Sequence, residues 1–176
     1  MGVCDTFSKM KVLILVLLAA VGAWAQKVHV EFDPAAQFHG YHTFAIRDGR
    51  VHSRNPAVNS ELVKKRIEAD LARGLAARHL APVPNGPADL NVRYTFGTVR
   101  TVEREAYPVG WRGWGTAIVR VPYAEGTLVI DFRDSATKSL VWRAVSSVQK
   151  RDPVKVEDKI DDLVRKALQK YPPKVK

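Results

Sequence analysis

The sequence predicts a single α+β domain, with a mostly antiparallel sheet of about five to six strands and two amphipathic helices packed on one face. Three observations lead there. Short runs alternate apolar and polar residues, as half-buried strands do. Turn residues separate several of these runs in the manner of hairpins. Two longer runs repeat apolar residues every three or four positions, the period of a helix with one buried stripe.

The first strand is Lys27–Phe32, where Val28, Val30 and Phe32 alternate with His29 and Glu31 before Asp33 and Pro34 end the run. Residues 41–46 form a second short strand, rich in aromatic and β-branched side chains, and 47–56 read as a polar turn. Asn59 and Ser60 offer side-chain oxygens to cap a helix. Val63, Ile67, Leu71 and Leu75 then follow at i, i+4, i+8 and i+12, and the helix is expected to end near residues 78–79. Three prolines and the pair Asn85-Gly86 make 81–87 a loop.

Residues 89–96 alternate cleanly, with Leu90, Val92, Tyr94 and Phe96 on one side. Gly97 interrupts the phase, so a bulge is expected there, carrying the strand to about Val102. Residues 103–115 hold three glycines and a proline and are expected to form no regular element. Strands follow at 116–121, ended by Pro122, and at 127–133, with Leu128, Ile130 and Phe132 inward. A turn at 134–139 leads into a returning strand at 140–148. The last helix, 156–171, carries Val156, Ile160, Leu163, Val164, Ala167, Leu168 and Tyr171 along one stripe. Acidic residues load its first half and Lys166 and Lys170 its end, as the helix dipole favours. Pro172 and Pro173 stop it.

The amino terminus has a different character. Lys9 and Lys11 precede an uncharged run at 12–24, which closes on Ala23-Trp24-Ala25. A positive start, a short apolar stretch and small residues at −3 and −1 define a cleavable secretory signal, so residues 1–25 are expected to leave. The run is shorter than the roughly 20 residues that span a bilayer. The one cysteine, Cys4, lies before the apolar run rather than after it, so no lipobox anchors the chain. Residues 26–176 then make one domain without disulfides, exported to the periplasm or the extracellular side of a bacterial cell. The chain's net charge of +10 lies almost wholly in that domain and favours anionic partners. In that compartment these are lipid phosphate, lipopolysaccharide or cell-wall polymer, not nucleic acid.

Several stretches are similar to a known bacterial envelope family. Phe38-His-Gly-Tyr-His-Thr-Phe-Ala45 resembles the opening of the family called domain of unknown function 4136. The helix from Asn59 into Leu80, the run Pro87-Ala-Asp-Leu-Asn-Val-Arg-Tyr94, the glycine- and tryptophan-rich stretch around Trp111 and Trp114, and Tyr123 to Asp134 running on to Leu140-Val-Trp-Arg143 agree as well. The resemblance covers essentially all of residues 26–176. It implies an exported α+β domain, often a lipoprotein, a habit from which this chain departs. It implies no activity and carries over no catalytic residue.

The residues themselves name no catalytic group, cofactor or metal. His29, His39, His42, His52 and His79 form no H-E-x-x-H or other close ligand pair. Asp131 falls on the polar face of its strand beside Arg133, and Asp134 opens a turn, where aspartate bonds backbone N–H groups. There is no G-x-S-x-G elbow, and Gly110, Gly113 and Gly115 fit no phosphate loop. The candidate interaction surface is Tyr107, Trp111 and Trp114, with Arg112 between them and Arg100, Arg104 and Arg120 nearby. Flat amphipathic rings and guanidinium groups suit sugars, membrane interfaces and phosphate. The alternative is that the tryptophans fold back over the sheet's uncovered face. The function expected is a non-catalytic binding or structural module of the cell envelope, contacting an anionic component or a protein through this loop and the open sheet face. The alternative is a secreted hydrolase whose site is assembled from distant residues.

Overall fold

The computed structural model describes residues 27–53, 58–109, 115–152 and 154–174; the expected leader at 1–25 lies outside the described residues. The strands are β1 (Lys27–Phe32), β2 (Thr43–His52), β3 (Ala81–Pro82), β4 (Leu90–Val109), β5 (Gly115–Asp134) and β6 (Leu140–Lys150). The helices are α1 (Glu61–Ala76), α2 (Val154–Glu157) and α3 (Ile160–Leu168), and a 3-10 turn spans Phe38–Gly40. One six-stranded sheet runs in the order β1-β6-β5-β4-β2-β3.

The sheet is mixed: the antiparallel expectation holds for three of its five pairings and not for the two made by β2. β1–β6, β6–β5 and β5–β4 are antiparallel, but β2 lies parallel to both β3 and β4. The cause is α1, which carries the chain between β2 and β4; a helical crossover returns it in the same direction. The boundaries shift too. Residues 47–52, read as a turn, continue β2, because a register shift between Ile46 and Asp48 resets the alternation against β4. No shift occurs at Gly97: β4 pairs with β5 without interruption, and Val99 is exposed rather than inward. The strands expected at 116–121 and 127–133 are one strand, β5. Pro122 does not end it, because pairing with β6 begins only at Ala124, so the missing N–H takes no bond from β6.

Ser60 caps α1 as expected, its Oγ accepting from the Val63 N–H at 3.2 Å. The helix closes on His79, whose φ of 62° lets the Leu80 N–H reach back to the Leu75 carbonyl at 3.2 Å. The last helix is divided. Lys159 N–H bonds the Val156 carbonyl, a tightened i→i−3 turn between α2 and α3, while Val156 and Ile160 both stay fully buried. Tyr171 lies beyond α3 and completes an aromatic cluster with Phe38, Phe132 and Trp142, at centroid distances of 5.9, 4.9 and 5.5 Å. Among the described residues no helix is long and apolar enough to cross a membrane.

Even-numbered positions of β4, β5 and β6, among them Leu90, Phe96, Leu128, Ile130 and Trp142, are buried in the core. Tyr94 reaches α1, its hydroxyl donating toward the Lys64 carbonyl (3.3 Å) and Glu68 Oε1 (3.1 Å). Ser146 Oγ donates to the Leu163 carbonyl of α3 at 3.2 Å. The Tyr94 ring crosses directly over Gly49, so a Cβ there would overlap it, and the Val156 side chain sits in the same way over Gly126. Gly49→Ala is expected to destabilise the fold by about 1–3 kcal/mol through overpacking. Gly40→Ala, where no atom lies within 4 Å of the added methyl, should stay within about 0.5 kcal/mol of the parent; urea melts of the two variants make the comparison.

The α1–α3 contact contains a carboxyl pair. Arg66 grips Asp161 with two bonds of 2.7 and 3.1 Å. Asp70, only 8% exposed, lies on the buried stripe of α1 with Arg73 at 3.0 Å from Oδ1, and its Oδ2 has no hydrogen-bond partner among the described residues. Burial, then the neighbouring Asp161, raises the Asp70 pKa above its usual 3.8, while the bond from Arg66 depresses that of Asp161. A carboxyl with a raised pKa stabilises the fold in its protonated form. That contribution is complete below the unfolded value and is lost as pH rises through the folded one. Asp70→Asn is therefore expected to add about 1 kcal/mol at pH 7 and to change little near pH 3. Denaturant midpoints at the two pH values check the sign.

Candidate functional site

Beyond Gly97 strand β4 loses β2, and before Ala124 strand β5 loses β6. From Thr101↔Tyr123 to Val109↔Gly115 the two strands, among the described residues, pair only with each other. They form a bare two-stranded ribbon, roughly 30 Å long at the usual rise per residue. This corrects the expectation that 103–109 would be irregular. Pro108 and Gly115 do not prevent pairing here, because among the described residues neither strand has a second neighbour whose bonds would be lost.

The uninterrupted register sorts the ribbon by parity. Even positions share the face that carries Leu90, Val92, Phe96, Leu128 and Ile130 in the core. Along the ribbon this face shows Arg100, Val102, Arg104 and Ala106 on β4 and Ile118, Arg120 and Pro122 on β5, all exposed. Val102 is 58% and Ile118 69% exposed. Arg104 lies directly opposite Arg120, and Val102 opposite Pro122. None of the three arginines has an ion-pair partner among the described residues. Like charges facing each other across a ladder repel, and guanidinium groups so placed are of a type that can pair with phosphate or carboxylate oxygens. The other parity holds the exposed Val99 and Val119, and Tyr123 with the Arg151 guanidinium 5.9 Å from its ring centre.

Of the residues chosen from sequence, the structure joins Arg100, Arg104 and Arg120 on one face. Tyr107 is placed through its backbone opposite Ala117 in the ribbon. Trp111, Arg112 and Trp114 lie outside the described residues. Sequence reasoning missed Val102, Ile118 and Pro122, which share the arginine face. The signal was present in Arg100-Thr-Val-Glu-Arg-Glu105, where arginine keeps even and glutamate odd positions.

The open face of the sheet carries charge differently. Across five strands Glu31, Arg143, Asp131, Arg93 and Asp48 occupy neighbouring register positions, alternating in sign. Arg143 clasps Asp131 at 2.6 and 2.7 Å, and that bond, with Glu31 nearby, raises the arginine's pKa. Arg50 adds a 3.3 Å contact to Asp48. The partner of Asp131 is thus Arg143 across the ladder, not Arg133 along its own strand. Asp131 and Arg143 in this row are thus paired with each other across the strands, unlike the arginines of the ribbon.

An open depression of about 410 Å³ lies between Asp33, Tyr41, Asp134 and Val141. Asp134 Oδ1 accepts from the Ala136 and Thr137 N–H groups at 2.8 and 2.7 Å, and Oδ2 from the Tyr41 hydroxyl at 3.0 Å. The turn bonds hold the Asp134 carboxyl below its usual range. Burial, with Asp134 opposite, pushes the Tyr41 phenol up to about 12, so at neutral pH it is a hydrogen-bond donor rather than a base. Asp89 accepts from the His42 and Thr43 N–H groups at 2.9 and 2.8 Å and is likewise depressed by these bonds. These carboxylates splice β2, β4 and the β5–β6 turn together. Among the described residues no three His, Cys, Asp or Glu side chains are grouped to hold a metal ion.

The fold is shared with solved structures of low sequence identity. A PDZ domain protein from Parabacteroides distasonis ATCC 8503 matches at a TM-score of 0.56 and 13% identity, covering 85% of this chain but only 35% of that one. A PelC dodecamer from Paraburkholderia phytofirmans matches at 0.50 and 16%, covering 81% of this chain and 96% of the other. At these identities the likeness is one of fold. No curated protein matches the sequence. Residues 28–173 match the family described as Domain of unknown function (DUF4136), and with that match spanning all the described strands except Lys27, together with the helices, the chain belongs to that family.

Proposed function

We propose that this protein is an exported, non-catalytic module of the bacterial cell envelope that binds an anionic component of that envelope through its projecting ribbon. One observation carries the reading: Arg104 and Arg120 face each other across the ribbon, both exposed, and neither has an ion-pair partner among the described residues. An anion bound between them would relieve their repulsion, and Arg100 on the same face extends the positive strip.

Other features support it. Both longer helices lie, in this reading, on the even face of the sheet, as the contacts of Tyr94 with α1 and Ser146 with α3 support. The ribbon continues that face past the end of the helix layer, with Val102, Arg104, Ile118 and Arg120 exposed among the described residues. The uncharged run at 12–24 and its Ala-x-Ala end support export. The Asp134 and Asp89 carboxylates are occupied by turn and strand bonds, which supports a structural rather than an acid–base role for them.

Two measurements test this. Periplasmic fractionation should recover the protein without residues 1–25. Arg104→Gln with Arg120→Gln should weaken binding to anionic envelope extracts about tenfold or more at low salt, and the parent's binding should fall steeply as salt rises. Equal binding by parent and double variant would remove the ribbon from the function.

A further inference from the structure

We infer that the even face of the ribbon seats on an anionic lipid surface, with Val102, Ile118 and Pro122 entering the headgroup layer while Arg100, Arg104 and Arg120 hold lipid phosphates. This rests on the anion-binding reading above and specifies its ligand. The argument begins with what lies between the arginines. Val102 and Pro122 oppose each other one step from the Arg104–Arg120 pair, and Ala106 and Ile118 oppose each other one step to the other side. The face therefore alternates apolar, basic and apolar rungs. A soluble polyanion uses the basic rung and leaves the apolar ones in water. A lipid surface uses both, because its phosphates lie directly above its acyl chains. Val102 and Ile118 are more than half exposed in the free chain, so this face has apolar surface still to bury.

Depth is limited by the backbone. Each ribbon strand has one unpaired edge, whose N–H and C=O groups cannot enter hydrocarbon unsatisfied. At headgroup level water and phosphate oxygens satisfy them, so the ribbon lies shallow, and the arginine stems reach outward along it. A second copy of this chain is a poorer occupant of the same face. A two-fold contact would set three arginines against three arginines.

The experiment uses the full chain with Cys4→Ser and a nitroxide on Ala106→Cys, on the proposed face, or on Thr95→Cys, exposed on the opposite parity. Phosphatidylglycerol vesicles and soluble polyphosphate are the two probes. The local label separates ribbon contact from any binding by residues 1–25. The expected result is that vesicles shield the Ala106 label from a water-soluble relaxation agent and leave the Thr95 label accessible. Val102→Ser with Ile118→Ser should weaken this shielding about tenfold or more while polyphosphate binding stays unchanged. Undiminished shielding in the serine variant, or an Ala106 label that stays wet on vesicles while polyphosphate still binds, overturns the lipid assignment and leaves the anion reading standing. Failure to bind either probe removes the anion reading as well. Shielding of the Ala106 label without vesicles, in a species of twice the mass, assigns the face to a second copy and overturns the proposal.

Discussion

An antiparallel register held without a break along twenty-residue strands β4 and β5 governs the molecule. Side chains alternate with period two, so one slipped residue would exchange the two faces of everything downstream. Because nothing slips, Leu90, Val92, Tyr94 and Phe96 enter the core with Leu128, Ile130 and Phe132. The same parity, carried past the end of the helices, gathers Arg100, Arg104 and Arg120 on one side of the ribbon. Core and candidate surface are thus two stretches of one periodic constraint. They are divided only by where β2 and β6 stop.

The two exposed regions show how context changes the meaning of charge. On the open face five charges alternate across five strands, and the half-buried Asp131 is clasped twice by Arg143. Opposite charges at neighbouring positions stabilise a ladder modestly and need nothing from outside. On the ribbon the same residue type faces itself, and the apolar neighbours that a core would cover stand in solvent. A two-stranded hairpin is marginal in water by itself. Its stability here depends on the sheet that anchors one end.

Elsewhere polar groups act as joints. Asp134 ties the β5–β6 turn to Tyr41, and Asp89 ties β2 to β4 through two backbone N–H groups. Both carboxylates are depressed by these bonds, so their stabilisation is present above the ordinary carboxylate pKa and fades as pH falls through the folded value. Asp70 is opposite in sign, a buried acid favoured when protonated. It follows Val63 by seven on the helical stripe, a position where the pattern called for an apolar residue. Close approach is arranged by glycine: Gly49 admits the Tyr94 ring and Gly126 admits Val156.

Much of this was legible in residue order. Local alternation and helical period located β1, α1, the core half of β4, the β5–β6 hairpin and the last apolar stripe, because each pattern is a property of neighbouring residues. Family membership was legible too, in the runs around Tyr41, Tyr94 and Trp142. Strand continuity was not. Gly97 read as a bulge and Pro108 and Pro122 as breaks, since the rule for a proline in a strand depends on whether a second neighbour needs the N–H it lacks, and that is a tertiary fact. The parallel pairing of β2 with β4 and the alternating charge row depend in the same way on residues distant in sequence. The sequence by itself determined which segments bury a face and that the domain is basic. Only the tertiary structure decided which charges are paired and which face is left open, because pairing is set by the register between strands and not by order along one.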